Sequence, residues 1–256
     1  MKLNLEGKRA LITGASRGIG AAVAEILAEE GCHLRLAARD QDSLAALRTK
    51  ILRKHPELDV TLHVVDMRND GACVGLAAEV GRIDVLVNNA GDVPHGSLLE
   101  IDEAAWRTAW DLKVFGYINL SRECYREMVA NKTGVIVNVV GTAAEHPVGR
   151  KIATSSGNAA LVAFSKALGG ESVKHGVRVV AVNPGATETD RQINRWKARA
   201  AKEFGDESRW REFTVGFPFG RLARADEVAA VIVFLASGRA SYVSGTVVTV
   251  DGGAES

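Results

Sequence analysis

Short apolar runs alternate with stretches of helical period along almost the whole chain, and no other feature constrains the fold as tightly. Strand-like runs occupy residues 9–13, 33–37, 60–65, 83–87, 134–139, 177–182 and 246–250. They are rich in Val, Ile and Leu with little polar alternation, as expected of strands covered on both faces. Helical stretches fall between them, at about 18–30, 41–54, 70–80, 103–131, 153–174 and 225–236. Repeated β-α units joined by right-handed crossovers predict an α/β fold, an open parallel sheet with helices on both faces. No low-complexity linker, internal repeat or composition break interrupts the pattern, so residues 1–256 read as one domain.

Composition narrows the function classes. A formal net charge of +1 offers no electrostatic footprint for nucleic acid or for an acidic membrane surface. No apolar run approaches the roughly 18 residues needed to span a bilayer, and the start, MKLNLEGKRALIT, lacks the form of a signal peptide. Cys32, Cys73 and Cys124 are odd in number and have no metal-ligand spacing. They read as reduced thiols of a cytosolic protein. The expectation is a soluble cytoplasmic enzyme acting on a small molecule, with no metal.

The run Thr13-Gly14-Ala15-Ser16-Arg17-Gly18-Ile19-Gly20 ends the first strand and opens the first helix. Glycines in such a turn let backbone N–H groups approach a pyrophosphate, and the helix N-terminus adds favourable partial charge. At the end of the second strand stands Ala38-Arg39, where an acidic residue would accept the ribose hydroxyls of NAD. Arg17 and Arg39 instead suit a 2′-phosphate, so NADP(H) is favoured over NAD(H). Asp66, followed by Met67, ends the third strand and either accepts from the adenine amino group or caps the next helix. Asn88-Asn89-Ala90-Gly91 follows the fourth strand, and its small residues let the backbone pass close to a ribose. After the sixth strand comes Asn183-Pro184-Gly185-Ala186-Thr187-Glu188-Thr189, whose backbone and Thr189 suit a carboxamide. The expected cofactor contacts are Gly14, Ser16, Arg17, Gly18, Ile19, Gly20, Arg39, Asp66, Met67, Asn89, Ala90, Gly91, Asn158, Pro184, Gly185, Thr187 and Thr189.

Between about residues 190 and 221 the alternation stops, and this segment holds six of the chain's fourteen Phe, Tyr and Trp residues. It reads either as a helical lid over an apolar substrate or as a helix pair whose aromatics face the core or an oligomer contact. Its basic residues, among them Arg191, Arg195, Lys197 and Arg199, either lie on solvated helix faces or meet an anionic group.

TGASRGIG, NNAG, NPG and the terminal VDGG together resemble the short-chain dehydrogenase/reductase family, and the likeness covers essentially the whole chain. It implies a Rossmann fold, doubly wound around a seven-stranded sheet, that binds NAD(P)(H). It also implies a homo-oligomer, tetramer or dimer, built on the last helices and last strand. The family uses an Asn-Ser-Tyr-Lys tetrad, and by pattern its positions fall on Lys113, Gly141, Thr154 and Asn158, all four changed. The Thr154 hydroxyl has a pKa far above tyrosine's value of about 10 and is a poor acid near neutrality. Asn158 still hydrogen-bonds a ribose but carries no charge. Gly141 has no side chain, though Thr142 beside it has one. Lys113 brings a cation that either exchanges protons, if partly buried, or simply pairs with Asp111 or a backbone carbonyl. Tyr117 shares the helical face of Lys113 or is core, and His95 and His146 are loop residues or proton shuttles.

Three functions remain open: an NADP(H)-dependent oxidoreductase acting on a carbonyl or hydroxyl of a small, largely apolar substrate by a non-standard proton transfer, a non-redox hydratase, isomerase or lyase, and a catalytically inactive NADP(H)-binding protein.

Overall fold

Strands and helices alternate along most of the chain in the computed structural model, which describes residues 2–254. Met1, Glu255 and Ser256, which the expected domain includes, lie outside the described residues. The order is β1 (Arg9–Thr13), α1 (Gly18–Glu29), β2 (His33–Ala38), α2 (Gln41–Lys54), β3 (Val60–Val64), α3 (Ala72–Val80), β4 (Val85–Asn88), α4 (Glu103–Trp110) and α5 (Gly116–Asn131). It continues through β5 (Gly134–Val139), α6 (Ile152–Ser172), β6 (Val177–Pro184), β7 (Thr187–Glu188), α7 (Asp190–Phe204), β8 (Ala223–Arg224), α8 (Ala225–Ala236) and β9 (Val247–Val250). Seven strands form one parallel sheet in the order β3-β2-β1-β4-β5-β6-β9, a single-domain Rossmann-like fold. The strand order reverses between β1 and β4, and that switch point opens a crevice at the carboxyl ends of the strands.

Successive residues of a buried strand feed opposite faces. Ala10 and Ile12 of β1 enter a core with Val23 and Leu27 of α1, Leu44 of α2 and Ile232 of α8. Leu11 enters the other core, with Leu76 of α3 and Leu120 and Met128 of α5. Between β4, β5 and α6 runs a buried polar ladder: Asn88 Nδ2 donates to Asn138 Oδ1 at 2.9 Å, and Asn138 Nδ2 donates to Ser165 Oγ at 2.9 Å. It fixes the register of the two strands that carry the site. Cys32, Cys73 and Cys124 are free and buried. Among the described residues no helix is long and apolar enough to cross a membrane, and no cluster of His, Cys, Asp or Glu is arranged to hold a metal.

Two parts of the pattern differ from the sequence expectation. The helix expected over 103–131 is two helices joined by a π-helical turn at Asp111–Phe115. Such a turn inserts a residue into the ladder and re-aims the side chains it carries, and Lys113 is one of them. The 190–221 segment folds as α7 followed by 3₁₀ turns at Glu207–Thr214 and Pro218–Gly220. Its aromatics build a small core of their own around Ala200, Trp210 and Leu222. Trp196 lies 5.5 Å from Phe217 and 6.2 Å from Trp210, and Phe204 stacks on Phe213 at 5.4 Å. These rings pack chiefly on one another rather than on the main sheet.

Candidate active site

The crevice at the switch point is a cleft of about 1840 Å³ lined from the ends of β1, β2, β4, β5 and β6 and from α7. Its floor is the glycine turn. Gly14 and Gly18 hold φ of +63° and +59°, conformations that L side chains rarely adopt. Gly20 is required for another reason: a Cβ there would lie 2.3 Å from the Gly14 carbonyl oxygen and 2.6 Å from Asn89 Nδ2. Thr13 Oγ1 accepts from the Asn89 and Ala90 amides at 2.9 and 3.1 Å, and Asn89 Nδ2 donates back to the Thr13 and Gly14 carbonyls. The β1 and β4 ends are therefore laced together, with Gly14, Ser16, Gly18, Ile19, Ala90 and Gly91 on the cleft wall. No side chain caps the first turn of α1, whose N-cap is Arg17. Its amides thus face the cleft as anion donors.

At one end of the cleft stand Ala38, Arg39 and Arg17. Both arginines are exposed, and neither makes an ion pair among the described residues. Met67 lines the same end. Asp66 is engaged from within the chain: Arg68 Nε donates to both its oxygens at 2.9 and 3.1 Å, Nη2 adds a contact, and the Arg68 amide donates at 3.1 Å. The Arg68 side chain, foremost among these, holds the Asp66 carboxyl below its ordinary range. Sequence reading missed this partner two residues away. At the other end Pro184, Gly185, Thr187 and Thr189 line the wall. Thr189 caps α7, accepting from the Gln192 amide at 3.3 Å, and its methyl lies beside Gly18. Thr187 Oγ1 donates to the Gly185 carbonyl at 3.1 Å.

Between these ends the expected catalytic positions converge. Lys113, Gly141, Thr142, Thr154 and Asn158 all border the cleft. Asn158 Nδ2 donates to the Gly141 carbonyl at 3.3 Å, and Gly141, with φ of +128°, donates its amide to Asn183 Oδ1 at 3.2 Å. Thr154 Oγ1 and Asn158 Oδ1, one turn apart on α6, are buried with no hydrogen-bond partner among the described residues. Buried polar atoms are rarely left so, and both of these belong to residues that border the cleft.

Lys113 is 8% exposed, and its Nζ donates to the Val139 carbonyl at 2.7 Å and lies 3.1 Å from the Tyr117 hydroxyl. The partner is a carbonyl, not Asp111, which is exposed. Burial, with a smaller contribution from Arg191, pushes the lysine down to about 7. Tyr117 is fully buried, so it is core as well as a partner of Lys113, and its hydroxyl also donates to Val139 O at 3.1 Å. The pair tolerates both protonation states. An ammonium donates to Tyr117, and a neutral amine accepts from the rotated hydroxyl while still donating to Val139.

His95 lies on the cleft rim, with Nε2 3.2 Å from Arg195 Nη1. Loss of water around the ring, then the Arg195 and Lys151 cations, pushes it down to about 4. Lys151 escaped the sequence reading. Its only signal was a basic pair, Arg150-Lys151, just before α6.

The chain matches the model of the short chain dehydrogenase family over residues 8–200. It belongs to that family. It is 33% identical over 254 residues to 2,3-dihydro-2,3-dihydroxybenzoate dehydrogenase of Bacillus subtilis, covering 98% of this chain and 97% of that protein. It is 31% identical over 258 residues to the NADPH-dependent reductase BacG of the same organism, covering 96% and 97%. Among solved structures, L-sorbose reductase from Gluconobacter frateurii, complexed with NADPH and L-sorbose, superposes with a TM-score of 0.91 at 32% identity, covering 98% of each chain. Family relatives are thus NADPH-dependent reductases and dehydrogenases that span the same length as this chain.

Proposed function

We propose that this short-chain dehydrogenase is an NADP(H)-dependent oxidoreductase, acting on the carbonyl or hydroxyl of a small, largely apolar substrate, in which Lys113 exchanges the proton. The observation that carries the reading is a buried lysine that borders the same cleft as the glycine turn, Thr154 and Asn158. The cradle fits a dinucleotide, because Gly14 and Gly18 bring side-chain-free backbone to the cleft wall and the uncapped α1 terminus offers donors. Gly14, Ser16, Gly18 and Ile19 would hold the pyrophosphate, Arg17 and Arg39 the 2′-phosphate, Asn158 the ribose, and Pro184 to Thr189 the carboxamide. When bound, NADPH supplies a hydride. The protein's part is to place the substrate oxygen within reach of Lys113 and Thr154. The lysine ammonium gives its proton to that oxygen and is left as a neutral amine, still bonded to Val139 and accepting from Tyr117. Thr154 and Asn158 orient rather than ionise, in place of the family's tyrosine and lysine. The reading also includes residues 190–221 as the substrate lid and a cytoplasmic homo-oligomer, supported by the exposed Phe115 and Tyr242 side chains.

NADPH consumption across a panel of ketones, aldehydes and enones tests the function. Turnover of a substrate without any change in nicotinamide absorbance would move the chain to the hydratase, isomerase or lyase class. Tight NADPH binding with no turnover would make it a binding protein. Cofactor choice is read separately by fluorescence titration. NADPH should bind roughly 10–100-fold more tightly than NADH, through charge-assisted bonds to Arg17 and Arg39. Arg39→Gln should narrow that ratio about tenfold. Equal affinities in the wild type would sink the NADP(H) assignment.

A further inference from the structure

At the mouth of the cleft three donors, Arg195, His95 and Lys151, come together. Arg195, on α7, crosses to the loop after β4, where its Nη2 donates to the Val93 carbonyl at 3.4 Å and its Nη1 meets His95 Nε2. A guanidinium has five N–H groups and accepts nothing, so His95 Nε2 is the acceptor and the ring carries its proton on Nδ1. That leaves a further N–H donor on the same rim. Lys151 is brought alongside by a backbone bridge between Gly96 and Lys151 and by the Gly96 amide, which donates to the Arg150 carbonyl at 2.8 Å.

No carboxylate among the described residues pairs directly with these cations, and Asp92 acts on Arg195 only from a distance. Among the described residues neither Arg195 nor Lys151 is in an ion pair, and the nearby Asp92 lies 3.8 Å from Arg191 instead. Burial, and then Arg191, lowers Arg195 below the ordinary arginine range, and the smaller opposing pull of Asp92 does not offset them. The contrast lies one turn further along α7. There Arg199 is matched by Glu203 at 2.7 Å, as on an ordinary solvated helix face. Trp196, which follows Arg195 on α7, and Phe217 also border the cleft and offer it apolar surface, while Arg199 lies over the Phe213 ring.

We propose that the substrate carries a carboxylate, held at the cleft mouth by Arg195, Lys151 and His95, with its apolar body against the Trp196 wall. The inference rests on the reading of this cleft as the substrate site, and it sharpens the substrate to an apolar keto or hydroxy acid. A planar guanidinium fork suits a carboxylate.

The test uses matched carbonyl compounds that differ only in charge, para-acetylbenzoate and aliphatic keto acids against their methyl esters. Binding to the NADPH-loaded protein is measured by calorimetry, and NADPH oxidation is followed alongside. The acids should be favoured by roughly 10–100-fold in both affinity and kcat/KM. That acid-over-ester ratio should fall towards one in Arg195→Met and recover in part in Arg195→Lys. Because Arg195 also ties α7 to the 92–96 loop, the exposed Lys151→Gln gives a second measure and should lower the ratio several-fold. Equal binding of acids and esters, or a ratio unmoved by both substitutions, overturns the proposal even if NADPH is consumed. Preferential binding of acids without NADPH oxidation upholds the anion site and overturns the redox reading instead.

Discussion

Replacing Lys113 by Met is expected to lower kcat roughly 10²–10⁴-fold, the usual contribution of a positioned acid, while NADPH affinity changes little. The variant should fold. Val139 O, which loses the 2.7 Å bond from Nζ, keeps the Tyr117 hydroxyl at 3.1 Å, and a methionine fills the lysine's apolar channel beside Gly91. Turnover by Lys113→Met at the wild-type rate would remove the lysine from the chemistry.

The same residue sets a pH signature in both activity and stability. With Lys113 pushed down to about 7, carbonyl reduction should be fastest below neutrality and fall as the ammonium is lost above it. Tyr117→Phe should reshape this profile, because the neutral amine then lacks a hydroxyl to accept from. For stability, the folded pKa lies below the unfolded value of 10.5. Between about 7 and 10.5 the unfolded chain therefore holds more protons, and stability rises with pH through that window. The cost of a buried cation, several kcal/mol, is felt in full below 7 and relieved towards 10.5. Lys113→Met should raise Tm most at pH 6 and least near pH 10. A Tm difference independent of pH would contradict the burial of a titrating lysine.

The sequence left Lys113 open between proton exchange and pairing with Asp111 or a backbone carbonyl, and the surroundings that bear on the choice lie far along the chain. The lysine's local string predicts an unbroken helix, and nothing in Asp111–Phe115 announces a π-helical turn. Its position depends on the Val139 and Val140 carbonyls, 26 and 27 residues away, and its low pKa on burial that only the assembled sheet creates, with a smaller contribution from Arg191 of α7. The glycine turn is the opposite case. Its conformation is written in consecutive residues, because positive φ and close approach both demand glycine locally, so strand, turn and helix were all legible. The aromatics of 190–221 lie between these extremes. Their number marked the segment as unusual, but periodicity does not say whether a ring faces a ligand or another ring, and here most face one another.

Gly20→Ala sets two physical effects against each other, and the distances decide between them. In a helix interior alanine is favoured over glycine by about 1 kcal/mol, so propensity alone predicts a more stable protein. At Gly20 the new Cβ would sit 2.3 Å from Gly14 O and 2.6 Å from Asn89 Nδ2. The first neighbour is backbone and the second donates to Thr13 and Gly14, so neither yields without moving the turn proposed to cradle the pyrophosphate. Overpacking of this kind costs about 1–3 kcal/mol, which exceeds the helical gain. The same displacement withdraws the amides from the phosphate. A loss of NADPH affinity of about 100-fold is expected by fluorescence titration, two broken charge-assisted bonds at the usual strength, together with a lower Tm. Gly75→Ala on α3 isolates the propensity effect, since nothing lies within 4 Å of a Cβ there. It should raise Tm and leave NADPH binding untouched. If Gly20→Ala behaved like Gly75→Ala, the close approach of α1 to the β1 turn would not be what this cradle depends on.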